Sequence, residues 1–94
     1  MSRKKELAAH IGLKIRDLRR QKKITLIELS KLTGIAQATL SRIETGLMIG
    51  TVSSHQKIAE AIGVSLAELY REIDTRYEKT KHQNAAARKI TVVH

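Results

Sequence analysis

The segment from Thr25 to Gly46 holds two short helical patterns separated by a short turn that contains one glycine. The first begins with the capping box Thr25-Leu-Ile-Glu28, in which the threonine hydroxyl accepts the Glu28 amide while the glutamate side chain reaches back. Gly34 follows this pattern, at the position where a left-handed conformation costs glycine least. The second pattern begins near Gln37 and is ended by Gly46. The sequence therefore predicts a pair of short helices joined by a tight turn.

The rest of the chain extends this pair to a five-helix, all-α domain. The 94 residues include no proline and only five glycines, which favours helices over a turn-rich β sandwich. We expect helices at about residues 7–22, 26–32 and 37–45, a fourth capped by Thr51 or Ser53 and ended by Gly63, and a fifth from the capping box Ser65-Leu-Ala-Glu68. Phe and Trp are absent, so aliphatic residues must form the core, and we expect inward-facing side chains at Ile11, Ile15, Leu18, Leu40, Ile43, Val52, Ile58, Ala59 and Ile62.

Positive charge is concentrated near the start of the chain. The net charge is +9, and residues 1–23 contain nine basic and two acidic residues, a net +7. A folded domain with one basic edge favours a polyanionic partner, such as duplex DNA, RNA or an acidic membrane.

Several other classes of protein are disfavoured. Without cysteine there is no disulfide, thiolate metal site or cysteine nucleophile, and the four histidines lack metal-ligand spacing. RNA recognition usually stacks bases on aromatic side chains, and this chain has only Tyr70 and Tyr77. A membrane span or signal peptide is not evident. We expect a cytoplasmic protein with no enzymatic activity, no cofactor and no metal.

The patterns divide the chain into three parts. Residues 1–10 form a basic arm and the start of helix one, residues 11–70 the folded domain, and residues 71–94 a helical extension and tail. The stripe formed by Leu66, Leu69, Tyr70, Ile73 and Tyr77 either packs onto helices one and four or forms a dimer seam through Tyr70, Ile73 and Tyr77. The run Ile90-Thr-Val-Val93 reads as a short strand without a partner in this chain.

Two short helices joined by a glycine turn, the second amphipathic, describe a helix-turn-helix. The segment Ile11–Tyr70 resembles one family of this kind, the phage repressor/Cro helix-turn-helix family, also called the xenobiotic-response-element (XRE) type. This resemblance implies a lambda-repressor-like fold. The resemblance is carried by Ile15-Arg-Asp-Leu-Arg19, Glu28-Leu-Ser-Lys-Leu-Thr-Gly34, Ala38-Thr-Leu-Ser-Arg-Ile-Glu-Thr-Gly46 and Lys57-Ile-Ala-Glu-Ala-Ile-Gly-Val-Ser-Leu-Ala-Glu-Leu69.

The resemblance implies that helix three enters the major groove of DNA, with candidate base contacts at Gln37, Ala38, Thr39, Ser41 and Arg42. The Gln37 amide suits adenine, and Arg42 suits either guanine or a phosphate. Candidate phosphate contacts are Thr25, Thr45, Lys23 and Thr51. The family also implies an ion pair between Arg19 and Glu44 that orients helix three; the alternative is two exposed charges.

Three positions depart from the family pattern. Leu26 stands where a glutamine usually contacts the DNA backbone, and the usually basic loop after helix three is Leu47-Met-Ile-Gly50. That loop either weakens DNA binding or makes a protein contact. His55 occupies a usual core leucine position, and we interpret it as a satisfied, half-buried histidine rather than a pH-sensitive hinge. The arm Met1–Lys5 is either disordered or wraps along DNA.

The implied function is a sequence-specific DNA-binding transcriptional regulator, a homodimeric repressor that reads a palindromic operator through helix three. It would be encoded by a bacterium or phage and act at the nucleoid. Two alternatives remain open at this level: an autorepressing antitoxin whose tail orders on a toxin, and the DNA-binding part of a larger regulator with a C-terminal sensor domain. The sequence names no effector.

Overall fold

The computed structural model describes residues 3–71 and 73, so the predictions for Tyr77 and for the rest of the tail lie outside the described residues. Four helices follow in order, α1 (Arg3–Gln21), α2 (Leu26–Thr33), α3 (Gln37–Glu44) and α4 (Val52–Ile62). Residues 66–71 and 73 are also helical and form α5. No strand occurs in this part of the chain, which confirms the five-helix, all-α fold with α2 and α3 as the helix-turn-helix. No helix there is long and apolar enough to cross a membrane.

Helix α1 begins four residues earlier than the sequence predicts, so Arg3, Lys4 and Lys5 lie in its first turns rather than in an arm. It ends at Gln21 in a tight reversal in which Lys23 adopts a positive φ of 57°. The Lys23 amide donates to the carbonyl oxygen of Arg20, and the Ile24 amide donates to the carbonyl oxygen of Arg19. This is the hydrogen-bond pattern of a Schellman motif. The residue after this reversal, Thr25, is the N-cap of α2.

The caps that begin α2 and α4 are both reciprocal. At α2, the Glu28 amide donates to the Thr25 hydroxyl at 3.0 Å, and the Thr25 amide donates to the Glu28 carboxylate at 2.8 Å, as predicted. Thr51, rather than Ser53, caps α4, and its box closes with the hydroxyl of Ser54. These bonds satisfy amides that have no partner inside the helix.

The core is aliphatic and lies between all five helices. Every predicted core residue is buried except Val52, which is 63% exposed. The prediction for Val52 is wrong because this residue is the first of α4, directly after the cap, and its side chain faces outward. The buried cluster consists of Ile11, Ile15, Leu18, Leu29, Leu40, Ile43, Ile58, Ala59, Ile62, Leu69 and Ile73.

A small residue sets the distance between α1 and α3. Gly12 is buried on α1, and a Cβ there would overlap the carbonyl oxygen of Ile43 and lie 2.6 Å from that of Glu44. Backbone therefore packs directly against backbone at the C-terminal end of α3. This contact sets how closely α1 and α3 approach each other.

Candidate nucleic-acid interface

Helix α3 has one face in the core and the opposite face in solvent. Leu40, Ile43 and Glu44 are buried. The exposed face carries Gln37, Ala38, Ser41 and Arg42, and Thr39 is partly exposed at its edge. Because residues four apart are neighbours on a helix, Gln37 lies beside Ser41 and Ala38 beside Arg42. Four of the five predicted base contacts thus share a single exposed surface.

A carboxylate changes the character of the α2 N-terminus. The Thr25 hydroxyl accepts the Glu28 amide at 3.0 Å. The Glu28 carboxylate, however, accepts the Thr25 amide, and the hydrogen bonds from Thr25 hold the pKa of Glu28 below its ordinary value. A negative charge therefore stands beside this candidate phosphate site. Lys23 is exposed two residues earlier and offsets that charge in part.

The α4 N-terminus has the same cap geometry without the charge. The Thr51 hydroxyl accepts the Ser54 amide at 3.0 Å, and the Thr51 amide donates to the Ser54 hydroxyl at 2.8 Å. Since both partners are neutral, the positive end of the helix dipole is not offset by its own cap. Of the helix starts at Thr25 and Thr51, the one at Thr51 is therefore better suited to an anion.

Thr45 differs from the other three phosphate candidates. Its hydroxyl donates to the carbonyl oxygen of Ser41 at 2.9 Å and lies 3.2 Å from that of Arg42. In this arrangement its hydrogen is used inside the protein, and only oxygen lone pairs face outward. Thr45 is consequently the weakest of the four candidates for donating a hydrogen bond to phosphate.

Arg19 and Glu44 lie in direct contact. The Nε of Arg19 is 2.7 Å from one oxygen of Glu44, and its Nη2 is 3.0 Å from the other. The Glu44 side chain is 3% exposed and that of Arg19 is 12% exposed. The hydrogen bond with Glu44 also raises the pKa of Arg19 above its ordinary value, so the guanidinium stays charged. The alternative of two exposed charges does not match this burial.

Two further contacts extend this ion pair. Arg19 Nη1 donates to the carbonyl oxygen of Ile24 at 2.8 Å, and Arg16 Nε lies 3.5 Å from Glu44. The Arg19 side chain therefore links α1, the reversal before α2 and the end of α3. Sequence reasoning missed Arg16; the available signal was its position three residues before Arg19, on the same face of α1.

His55 is buried at 3% exposure, and both ring nitrogens have partners. Nδ1 lies 2.6 Å from the Tyr70 hydroxyl and Nε2 lies 2.6 Å from the carbonyl oxygen of Ile49. The two rings meet edge to face with centroids 5.6 Å apart.

Tyr70 and Ile73, the candidate dimer contacts, already have partners within the chain, since Tyr70 contacts His55 and Ile73 is buried in the core.

The other departures from the family pattern divide between core and surface. Leu26 is partly buried and packs against the core, so its side chain replaces a polar group with apolar packing. In the loop after α3, Leu47 is 77% exposed and Met48 39% exposed, while Ile49 packs against the core.

Among residues 3–71 and 73, no group of three or more His, Asp or Glu side chains is placed to hold a metal ion.

Comparison with known proteins agrees with this geometry. A family model described as helix-turn-helix (HTH_3) matches residues 15–69, from the middle of α1 into α5. The chain is also similar to the crystal structure of an HTH_3 family transcriptional regulator from Vibrio cholerae, with a TM-score of 0.69 and 25% sequence identity. That similarity covers 73% of this chain but only 39% of the Vibrio chain. None of the curated protein sequences matches.

Proposed function

Because this chain belongs to the XRE-type helix-turn-helix family, HTH_3, which its residues 15–69 match, we propose that it is a sequence-specific, double-stranded-DNA-binding transcriptional regulator. The observation that carries the proposal is the exposed polar face of α3, on a helix whose other face is held in the core. A rigid helix with short polar side chains can enter the major groove and present them to base edges.

Individual side chains on this face have different roles. The Gln37 amide, at the N-terminal end of α3, pairs with adenine through both of its polar atoms. Ala38 and Thr39 offer methyl groups to thymine, and Ser41 offers a hydroxyl. Arg42, in the last turn, contacts either guanine or a phosphate, and only the former carries sequence information.

Phosphate contacts would fix the register of α3 in the groove. The α4 start at Thr51 is the strongest candidate because its cap is uncharged. Thr25 and Lys23 supply a second, weaker contact beside the Glu28 carboxylate. The net charge of +9 adds a general attraction to the DNA backbone.

We further propose that the protein acts in the cytoplasm as a homodimeric repressor that occupies a palindromic operator. Two-fold symmetry in the protein requires inverted half-sites in the DNA, which in this class of motif lie one helical turn or a multiple of it apart. The Vibrio cholerae regulator extends well beyond the matched part, which favours a second candidate function: the DNA-binding part of a larger regulator that carries a sensor domain.

The test is enrichment of binding sites from a random duplex pool at near-physiological salt, with wild type, Gln37→Ala and Arg42→Ala. Wild type should enrich an inverted repeat. Gln37→Ala should relax preference at one base pair of each half-site and cost about 1–3 kcal/mol of binding. Gln56→Ala removes an equally exposed glutamine from α4 and is the matched control.

The results separate the parts of the proposal. An equal loss of affinity for every sequence with Gln37→Ala would show that Gln37 does not read a base. A single, unrepeated half-site would contradict the dimer. With about eight phosphate contacts per dimer, the slope of log affinity against log salt should be roughly −7. No enriched sequence and no salt dependence would refute DNA recognition by this chain.

A further inference from the structure

His55 joins three elements that meet behind the recognition helix. The residue belongs to α4, its Nε2 contacts the loop at Ile49, and its Nδ1 contacts Tyr70 on α5. The same loop is tied to the end of α3, since the amides of Leu47 and Met48 both lie within hydrogen-bond distance of the Arg42 carbonyl oxygen. One buried side chain therefore connects α5 with the segment that leaves the recognition helix.

The partners determine which ring nitrogen carries the hydrogen. A backbone carbonyl can only accept, so Nε2 of His55 donates to Ile49. In the neutral ring, Nδ1 is left to accept, and the Tyr70 hydroxyl donates to it. Burial raises the pKa of Tyr70 above its ordinary value, which keeps this hydroxyl protonated as a donor.

The backbone of the loop lies so close to His55 that only glycine fits at position 50. Gly50, the residue after Ile49, has a positive φ of 83°. A Cβ at this position would lie 2.9 Å from the Ser54 hydroxyl, 3.1 Å from Ile43 and 3.2 Å from Nε2 of His55. The backbone from Ile49 to Thr51 is thus packed directly onto the histidine ring and the α4 cap.

From this geometry we propose that His55 and Tyr70 are positioning residues, which hold the Ile49 carbonyl and thereby place Thr51 and the first amides of α4 for a DNA phosphate. The inference rests on the proposed function, because the phosphate belongs to the same DNA. Neither side chain touches DNA; they act through the loop. Tyr70 accordingly serves the interface through its hydrogen bond to His55.

Two substitutions of His55 by an amide side chain each keep one of its two hydrogen bonds and remove the other. The terminal amide of His55→Gln reaches the position of Nε2 and can donate to Ile49. The shorter His55→Asn places its amide near the position of Nδ1 and can accept from Tyr70 while losing Ile49. Both variants bury one neutral amide, so they are matched in chemistry and differ in the bond retained. Tyr70→Phe removes only the hydroxyl.

Each variant is tested in the full chain by two measurements. Backbone amide NMR shifts of Gly50, Thr51 and Val52 report the position of the loop without DNA. Affinity for a duplex of mixed sequence, measured over a series of salt concentrations, reports the phosphate contacts. His55→Gln should shift these amides only slightly, as Tyr70→Phe does, and keep an affinity within about twofold, whereas His55→Asn should shift them strongly and bind about tenfold more weakly.

The salt dependence separates positioning from a loss of stability. If one phosphate contact is lost, the log–log slope of His55→Asn falls in magnitude by about 1 per protomer, whereas partial unfolding lowers the active fraction and leaves the slope unchanged. Tyr70→Phe should change the shifts in the same direction but less, since the ring keeps its bond to Ile49. Equal shifts and equal slopes for the Gln and Asn variants would overturn the inference. A wild type that binds no duplex would instead refute the proposed function, while the shifts would still test the placement of the loop.

Discussion

Loss of the Glu44 carboxylate should weaken the fold, because this charged group is buried. Glu44→Gln keeps the size and shape of the side chain but removes its charge. The wild-type carboxylate accepts from Arg19 at 2.7 and 3.0 Å and lies 3.5 Å from Arg16. In the variant, one oxygen still accepts, but the amide nitrogen faces a guanidinium N–H, so two donors oppose each other.

The magnitude follows from burial. Removing one partner of a buried ion pair costs about 3–5 kcal/mol because the other charge is stranded. Arg19 is less buried than Glu44, with 12% of its side chain exposed, and it keeps its bond to the Ile24 carbonyl. The expected loss for Glu44→Gln is therefore at the lower end of that range, about 3 kcal/mol. A domain with a total stability of about 5–15 kcal/mol would remain folded at room temperature.

Urea denaturation followed by circular dichroism measures this loss. With an m-value of about 1–1.5 kcal/mol/M, the midpoint should fall by about 2–3 M at unchanged m. Glu60→Gln, which removes an exposed carboxylate from α4, is the matched control and should change stability by less than about 0.5 kcal/mol.

A double-mutant cycle with Arg19→Met completes the test. If the two side chains act as a pair, the double variant should be more stable than the sum of the single losses predicts, by about 0.5–3 kcal/mol. A loss below about 1 kcal/mol for Glu44→Gln, the value typical of an exposed pair, would refute the reasoning from burial.

Two further predictions concern packing and pH. Gly12→Ala should lower the unfolding free energy by about 1–3 kcal/mol in the same denaturation assay, because its Cβ would overlap backbone oxygens of α3. This loss is expected although alanine is the better helix former. An unchanged midpoint would mean that α1 moves away at little cost. Glu28 has a folded-state pKa below its ordinary value of 4.5, so its contribution should be complete above about pH 4.5 and be lost as pH falls through the lower folded-state pKa. Stability curves from pH 3 to 7 are compared for wild type and Glu28→Gln, which keeps the cap but does not titrate. They should differ by a constant amount above about pH 4.5 and converge in the acid range, because wild type alone loses this contribution. A constant difference at all pH values would contradict the shift.

Local chemistry explains which features could be predicted from the sequence. The cap at Thr25 and the helix stop at Gly34 depend on residues within a few positions of each other, so their pattern predicts them directly. The early start of α1 was missed because the polar residues at 3–6 form helix readily but show no apolar periodicity. Val52 was wrongly predicted to face the core. The sequence did not decide between Thr51 and Ser53 as the cap, and with Thr51 as the cap Val52 becomes the first residue of α4 and faces outward.

Contacts between distant residues were harder to predict. The family resemblance implied the contact between Arg19 and Glu44. The spacing placed Arg16 on the same face of α1 as Arg19 but did not reveal its partner, which is 28 residues away. For His55, the sequence indicated a satisfied residue without naming its partners. These partners depend on where the Ile49 loop and α5 meet in space, which local patterns do not determine.

The separation of the two faces of α3 also makes the domain a scaffold for engineering. Positions 37, 38, 41 and 42 are all exposed, and none of them contributes to the buried cluster. A combinatorial library that randomises these four codons can therefore vary DNA preference without disturbing Leu40, Ile43 or Glu44, and every member starts from the same stable frame.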